Sequence, residues 1–156
     1  MSLKTALFSA VASKWTGEAA LRRRRADAEK ARRRSGAPHL VEYFHQVDDP
    51  YSHLAAQALQ LMADRYAIEL KPWLVGAPED WAAPERALLL DYARRDADRL
   101  AARADLSFLD PGRQPDKALI AAATAQLAQT RDPVAFLGTA VSVGDALWRG
   151  SPIRMP

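Results

Sequence analysis

Two stretches of this chain read as strands and the rest does not, and that restriction governs every fold it can take. The first, residues 39–45 (HLVEYFH), is rich in β-formers and follows the breaker Ser35, Gly36, Ala37, Pro38. The second, residues 68–75, is closed by Gly76, Ala77 and Pro78. Between them a polar turn, residues 46–50, opens a helix that runs to Tyr66. Asp49 is placed as its N-cap and Pro50 at its first position, where a missing N–H costs nothing. Leu54, Leu59, Met62 and Tyr66 are its expected buried face. A sheet of two strands leaves an unsatisfied edge and rarely stands alone, so another element or another chain is expected to cover it.

Everything else is helix-forming. Alanine, leucine and arginine dominate while valine and isoleucine are few. Residues 84–104 set Leu88, Leu89, Tyr92 and Leu100 on one side, with Arg94, Arg95, Asp96, Asp98 and Arg99 elsewhere. A proline-punctuated loop, residues 108–115, leads to helices over 117–129 and 134–148 and a short tail. The fold class expected is helix-rich α/β, with a basic helix over residues 1–36, a β-α-β half over 37–78, a helical block over 79–150 and a tail over 151–156.

The N-terminal helix is expected to run unbroken over residues 3–34. Leu3, Leu7, Phe8, Val11 and Trp15 form a narrow apolar stripe in its first half. Residues 22–34 then hold eight basic and two acidic side chains, a local charge of +6 in a chain whose net charge is +3. Two readings fit: an arm for an anionic surface, nucleic acid or membrane, or a helical extension whose charges stay in water. No aromatic residue is interleaved with the arginines, which weakens the case for single-stranded nucleic acid.

The absence of cysteine excludes disulfides, thiolate metal sites and cysteine nucleophiles, and makes a cytoplasmic setting the expectation. The apolar run after Lys4 is too short for a leader, being interrupted by Lys14, Trp15 and Glu18, and no stretch approaches the roughly 20 apolar residues of a membrane span. There is no glycine-rich phosphate loop and no metalloprotease helix signature. His45, Asp48, Asp49 and His53 cluster at the first turn. They read as a polar turn with a histidine near a cap, and no metal is assigned to them. The alternative, a two-histidine, one-carboxylate site, needs residues 49 and 53 to meet across one helical turn. Trp73, Trp81 and Trp148 are either core residues or the walls of a pocket for a planar acid.

Four segments, in order, carry a resemblance. Residues 41–59, VEYFHQVDDPYSHLAAQAL, give a strand ending in aromatics, then a proline, an aromatic and a serine at a helix start. Residues 71–76, KPWLVG, give a second strand running into a proline, an aromatic, a leucine and a glycine. Asp96 to Ala102 with Leu106, Ser107, Phe108 and Pro111, and then Ala146, Trp148 and Gly150, follow. This pattern resembles the first half of DsbA-like thioredoxin-fold proteins, of the 2-hydroxychromene-2-carboxylate isomerase and kappa-class glutathione transferase type. The resemblance implies a partial thioredoxin-like fold, β-α-β, with a helical insertion. It also implies a site at the Asp49-Pro50-Tyr51-Ser52 turn, with glutathione as the cofactor. The family holds a serine or cysteine immediately before this proline, at a helix N-terminus that stabilises a thiolate. Here that position is Asp49.

A carboxylate accepts hydrogen bonds and repels a thiolate, so thiol redox chemistry is lost and glutathione binding is expected to be weak or absent. Should the chain be an enzyme, Asp49 is the expected base, assisted by His45 or Ser52, with Pro50, Tyr51 and Trp73 on the cofactor side and a small molecule as substrate. Whether it is one stays open, because the family's later strands and cis-proline loop have no counterpart after Trp148. Self-association or a separate second half is the expected remedy. The other reading is a non-catalytic module that binds a partner through its open sheet edge or its basic helix.

Overall fold

The computed structural model describes residues 16–153. The chain divides into two units, Met1–His39 and Leu40–Pro156. The first contributes one described helix, α1 (Glu18–Ser35), in which no residue is buried. Glu18 stands in its first turn and Arg32, Arg33 and Arg34 in its last, the arrangement that the helix dipole favours. Glu29 receives Arg32 through both Nε and Nη2 at 2.8 Å and Arg33 Nε at 2.6 Å. These bonds, Arg32's first, hold its carboxyl down at about 2. The helix ends on Gly36 in the left-handed region, φ 67°, with its N–H on the Arg33 carbonyl.

The unbroken helix expected over residues 3–34 is corrected at Gly17. That residue is extended (φ −62°, ψ 153°) and is the N-cap from which α1 starts. Glycine is the poorest non-proline residue for a helix interior, so a break there is natural. The stripe from Leu3 to Trp15 lies outside the described residues.

In the second unit, β1 (His39–Gln46), α2 (Pro50–Arg65) and β2 (Ile68–Val75) form a two-stranded parallel β-α-β unit. Three helices follow: α3 (Arg86–Ala104), α4 (Lys117–Gln129) and α5 (Pro133–Trp148). The described chain is therefore α/β and helix-rich. One face of the sheet turns inward with Tyr43, His45 and Leu70, and meets Ala56 of α2, Leu127 of α4 and Phe136, Leu137, Ala140, Val143 and Leu147 of α5 in one core. Helix α5 packs against α2, α4 and β2, and its own start is capped by Asp132, which accepts Ala135 N–H at 2.7 Å ahead of Pro133. The other sheet face is open. On it Phe44 stacks on Trp73, ring centroids 6.5 Å apart, Lys71 lies over the indole, and Trp73 Nε1 donates to Glu42 at 3.2 Å.

One expected buried face is corrected. In α2 burial is concentrated in Pro50, Ser52, His53, Leu54 and Ala56, while Met62 and Tyr66 are exposed. The contact with α5 reaches Gln60, whose amide lies 3.9 Å from where a Cβ on Gly138 would stand, and Met62 and Tyr66 fall beyond it. In α3 the large apolar side is the outer one: Leu88 is 68 % exposed and Tyr92 56 %. The helix instead buries Ala93, Arg94, Ala97 and Ala101. Alanines spaced four apart make a smooth ridge that lets α3 approach α2 closely, and Leu54, Ala97 and Ala101 form a small second core there. Arg94 can be buried because Asp91 at 2.8 Å and Asp110 at 3.1 Å take its guanidinium.

Candidate functional site

The turn between β1 and α2 is built from its backbone outward. Asp49 is extended (φ −103°, ψ 119°), Pro50 occupies the first helical position, and the first N–H groups of α2 point back at the aspartate. Asp49 Oδ2 accepts from Ser52 N at 2.9 Å and from the Ser52 hydroxyl at 2.8 Å, and Oδ1 faces Tyr51 N at 3.4 Å. The carboxylate thus fills the positive end of its own helix. Ser52 is buried and doubly used, since its Oγ also accepts from Gln46 N at 3.3 Å. Asp48 is held by Gln46 Nε2 at 3.0 Å.

His45 lies under this turn, buried. Its Nδ1 is 2.6 Å from the Tyr43 hydroxyl, which in turn stands 2.6 Å from the Ser52 carbonyl. The carbonyl only accepts, so the phenol donates to it and the imidazole Nδ1–H donates to the phenol oxygen. Burial, reinforced by the nearby His53, lowers the His45 pKa to about 4, and burial raises that of Tyr43. Both are therefore neutral at pH 7. Tyr51 reaches the other way and donates to Asp96 Oδ2 of α3 at 2.8 Å. Burial and that bond raise its phenol to about 12.

Beside the turn is a cavity of about 160 Å³. Asp48, Asp49 and Tyr51 line one side, and Pro78, Arg86 and Leu89 the other. Of the residues expected to act, Asp49 and Tyr51 reach this cavity. Pro50 is buried at the helix start, Ser52 and His45 stand behind the turn, and Trp73 is on the open face of the sheet and does not line the cavity. The tryptophans do not converge: Trp81 is 86 % exposed and Trp148 is buried against Phe108. Asp49 and His53, four apart, also take separate partners. Asp49 turns to Ser52 and His53 Nε2 to Asp145 at 3.3 Å. Among the described residues no three histidine, aspartate or glutamate side chains are grouped to hold a metal.

Arg86 is the cavity's cation. Its Nη2 bonds the Pro78 carbonyl and Asp80 at 2.9 Å, while its buried Nε has no partner. Nothing in its sequence neighbourhood marks it, since a basic residue at a helix start runs against the dipole. Asp96 was legible only as one charge among several on α3, because its link to Tyr51 crosses two helices.

No protein-family model, no curated protein and no solved structure matches the chain. The chain has no cysteine. No helix of the described residues is long and apolar enough to cross a membrane.

Proposed function

We propose that the chain is a DsbA-like thioredoxin-fold domain, of the 2-hydroxychromene-2-carboxylate isomerase and kappa-class glutathione transferase type, that does no thiol redox chemistry and holds a small molecule at the Asp49 turn. The β-α-β order with a proline at the helix start and a helical block after β2 supports the family reading. One observation carries the functional part: the Asp49 carboxylate takes the Ser52 N–H and the Ser52 hydroxyl for itself. At the position where the resembled family presents a donor to a thiolate, this chain presents a negative charge whose neighbouring donors are already engaged. The cavity is also small. At about 160 Å³ it is about half the roughly 300 Å³ at which pockets for drug-sized ligands begin, which leaves room only for a molecule smaller than the tripeptide glutathione. Glutathione is therefore a poor fit in both charge and size.

In this reading Asp49 is the carboxylate base, Ser52 fixes its orientation, and His45 acts only through Tyr43 and the Ser52 carbonyl. Gln46, Asp48, Tyr51 and Arg86 supply the cavity's other polar groups, and Arg86 is the natural seat for an acidic substituent. Calorimetric titration with glutathione tests this. Binding should be absent or weaker than about 1 mM in the native chain. Tight binding that is lost in Asp49→Ala would contradict it.

A second reading, a non-catalytic interaction module, is favoured by the Phe44–Trp73 pair on the uncovered sheet face. Its partner would be a second copy or a separate half of the fold. Sedimentation across a concentration series distinguishes it: native chain that associates and Trp73→Lys that does not would support the module, and a monomer throughout would speak against a second copy. For the arm, α1 supports the solvated reading, with Glu29 already holding two of its arginines. Unchanged affinity for anionic vesicles and for DNA when residues 1–36 are deleted is the outcome that reading expects.

A further inference from the structure

A second and larger pocket, about 560 Å³, opens between the loop after α3 and the C-terminal end of α5, and shares no lining residue with the Asp49 cavity. Its apolar wall is aromatic. Phe108 meets Trp148 edge-on with ring centroids 5.3 Å apart, and Leu109, 80 % exposed, stands at the rim. Its charges come from one helix end. Asp145 and Arg149 are a turn apart and meet only at 3.9 Å, beyond hydrogen-bond length, and the arginine side chain is 70 % exposed. They form a loose ion pair without a hydrogen bond between them, and both can still receive a ligand. Trp148 also carries a buried indole N–H with no acceptor.

The position of Asp145 is set from behind. His53 Nε2 lies 3.3 Å from its Oδ1 and 3.1 Å from the Gln57 amide nitrogen, which itself donates to the Ser107 carbonyl at 2.9 Å. Nδ1 is sealed against Gly144, where an added Cβ would sit 2.2 Å away. With Nδ1 sealed and Nε2 held between Asp145 and the Gln57 amide, His53 is no free base. It is a positioning residue that keeps a carboxylate at the pocket.

A ligand of single charge suits this pocket badly, since an anion would sit beside Asp145 and a cation beside Arg149. A molecule bearing both charges on one carbon satisfies both, and its ammonium would also lie at the negative end of α5. We propose that this pocket binds a free α-amino acid with an aromatic side chain, the ammonium on Asp145, the carboxylate on Arg149 and the ring among Phe108, Leu109 and Trp148. The size suits it, because ligand pockets run from roughly 300 to 1,000 Å³.

The test is calorimetric titration of the full chain with L-phenylalanine, with phenethylamine and 3-phenylpropanoate as single-charge controls. Phenylalanine should saturate, and each control should bind at least about tenfold more weakly. Arg149→Gln, at an exposed position, should weaken phenylalanine about tenfold while phenethylamine binds no more weakly than before. Failure of phenylalanine to saturate by about 10 mM, equal affinity for all three compounds, or indifference to Arg149→Gln would each overturn the proposal. None of these outcomes bears on the Asp49 turn.

Discussion

Asp49 has a structural task whatever else it does. Replacing an aspartate cap by alanine removes an acceptor from the helix start, and here it also strips the buried Ser52 hydroxyl of its partner. Asp49→Ala should lower stability by about 1 kcal/mol, read from the urea midpoint at unchanged slope. Gly144 is constrained more sharply, because a methyl there would collide with the His53 ring. Gly144→Ala should cost about 1–3 kcal/mol by overpacking, and much of that loss should vanish in a double-mutant cycle with His53→Ala. Strict additivity would contradict the contact. His45 makes stability depend on pH. Its folded value of about 4 lies below the ordinary 6.5, so between those values the unfolded chain binds more protons. Its contribution is then complete above pH 6.5 and is lost as pH falls towards 4, by roughly 3 kcal/mol. A pH series of urea midpoints should show that fall in the native chain and a shallower one in His45→Gln.

At the scale of elements, the helix and strand bounds were legible in the sequence and the burial was not. Gly36, Pro38, Gly76 and Pro78 punctuate the strands locally, and Asp49-Pro50 announces a helix start through chemistry confined to one turn. Gly17 is the exception, an extended residue inside sequence that reads as one continuous helix. Which side of a helix is buried depends on its neighbours, and α3 shows how far that can depart from hydropathy. Its alanine ridge faces α2 and its leucines face out. Leu88→Lys should therefore change stability by no more than about 0.5 kcal/mol, whereas Ala97→Leu, at a position with no exposure, should cost about 1–3 kcal/mol. Equal effects in denaturation would mean that α3 is turned the wrong way. The candidate site divides in the same manner: Asp49 and Ser52 were legible because they are three residues apart, but the Tyr51–Asp96 and His53–Asp145 pairs span the fold.

At the largest scale, the second unit is a two-stranded β-α-β unit with α4 and α5 packed on one face of its sheet. The absence of cysteine and the carboxylate at the start of α2 remove the means of thiol chemistry while leaving the turn well capped. Under the proposed reading, one side chain separates this turn from that of the resembled family while the helix start stays capped. Serine caps a helix nearly as well as aspartate, donates where aspartate cannot, and adds no charge. The most direct measurement is the Asp49→Ser variant, followed in parallel by urea denaturation and by glutathione titration. Stability should stay within about 0.5 kcal/mol of the native chain while glutathione affinity rises about tenfold or more. An intact fold with glutathione affinity unchanged or lowered would contradict the account.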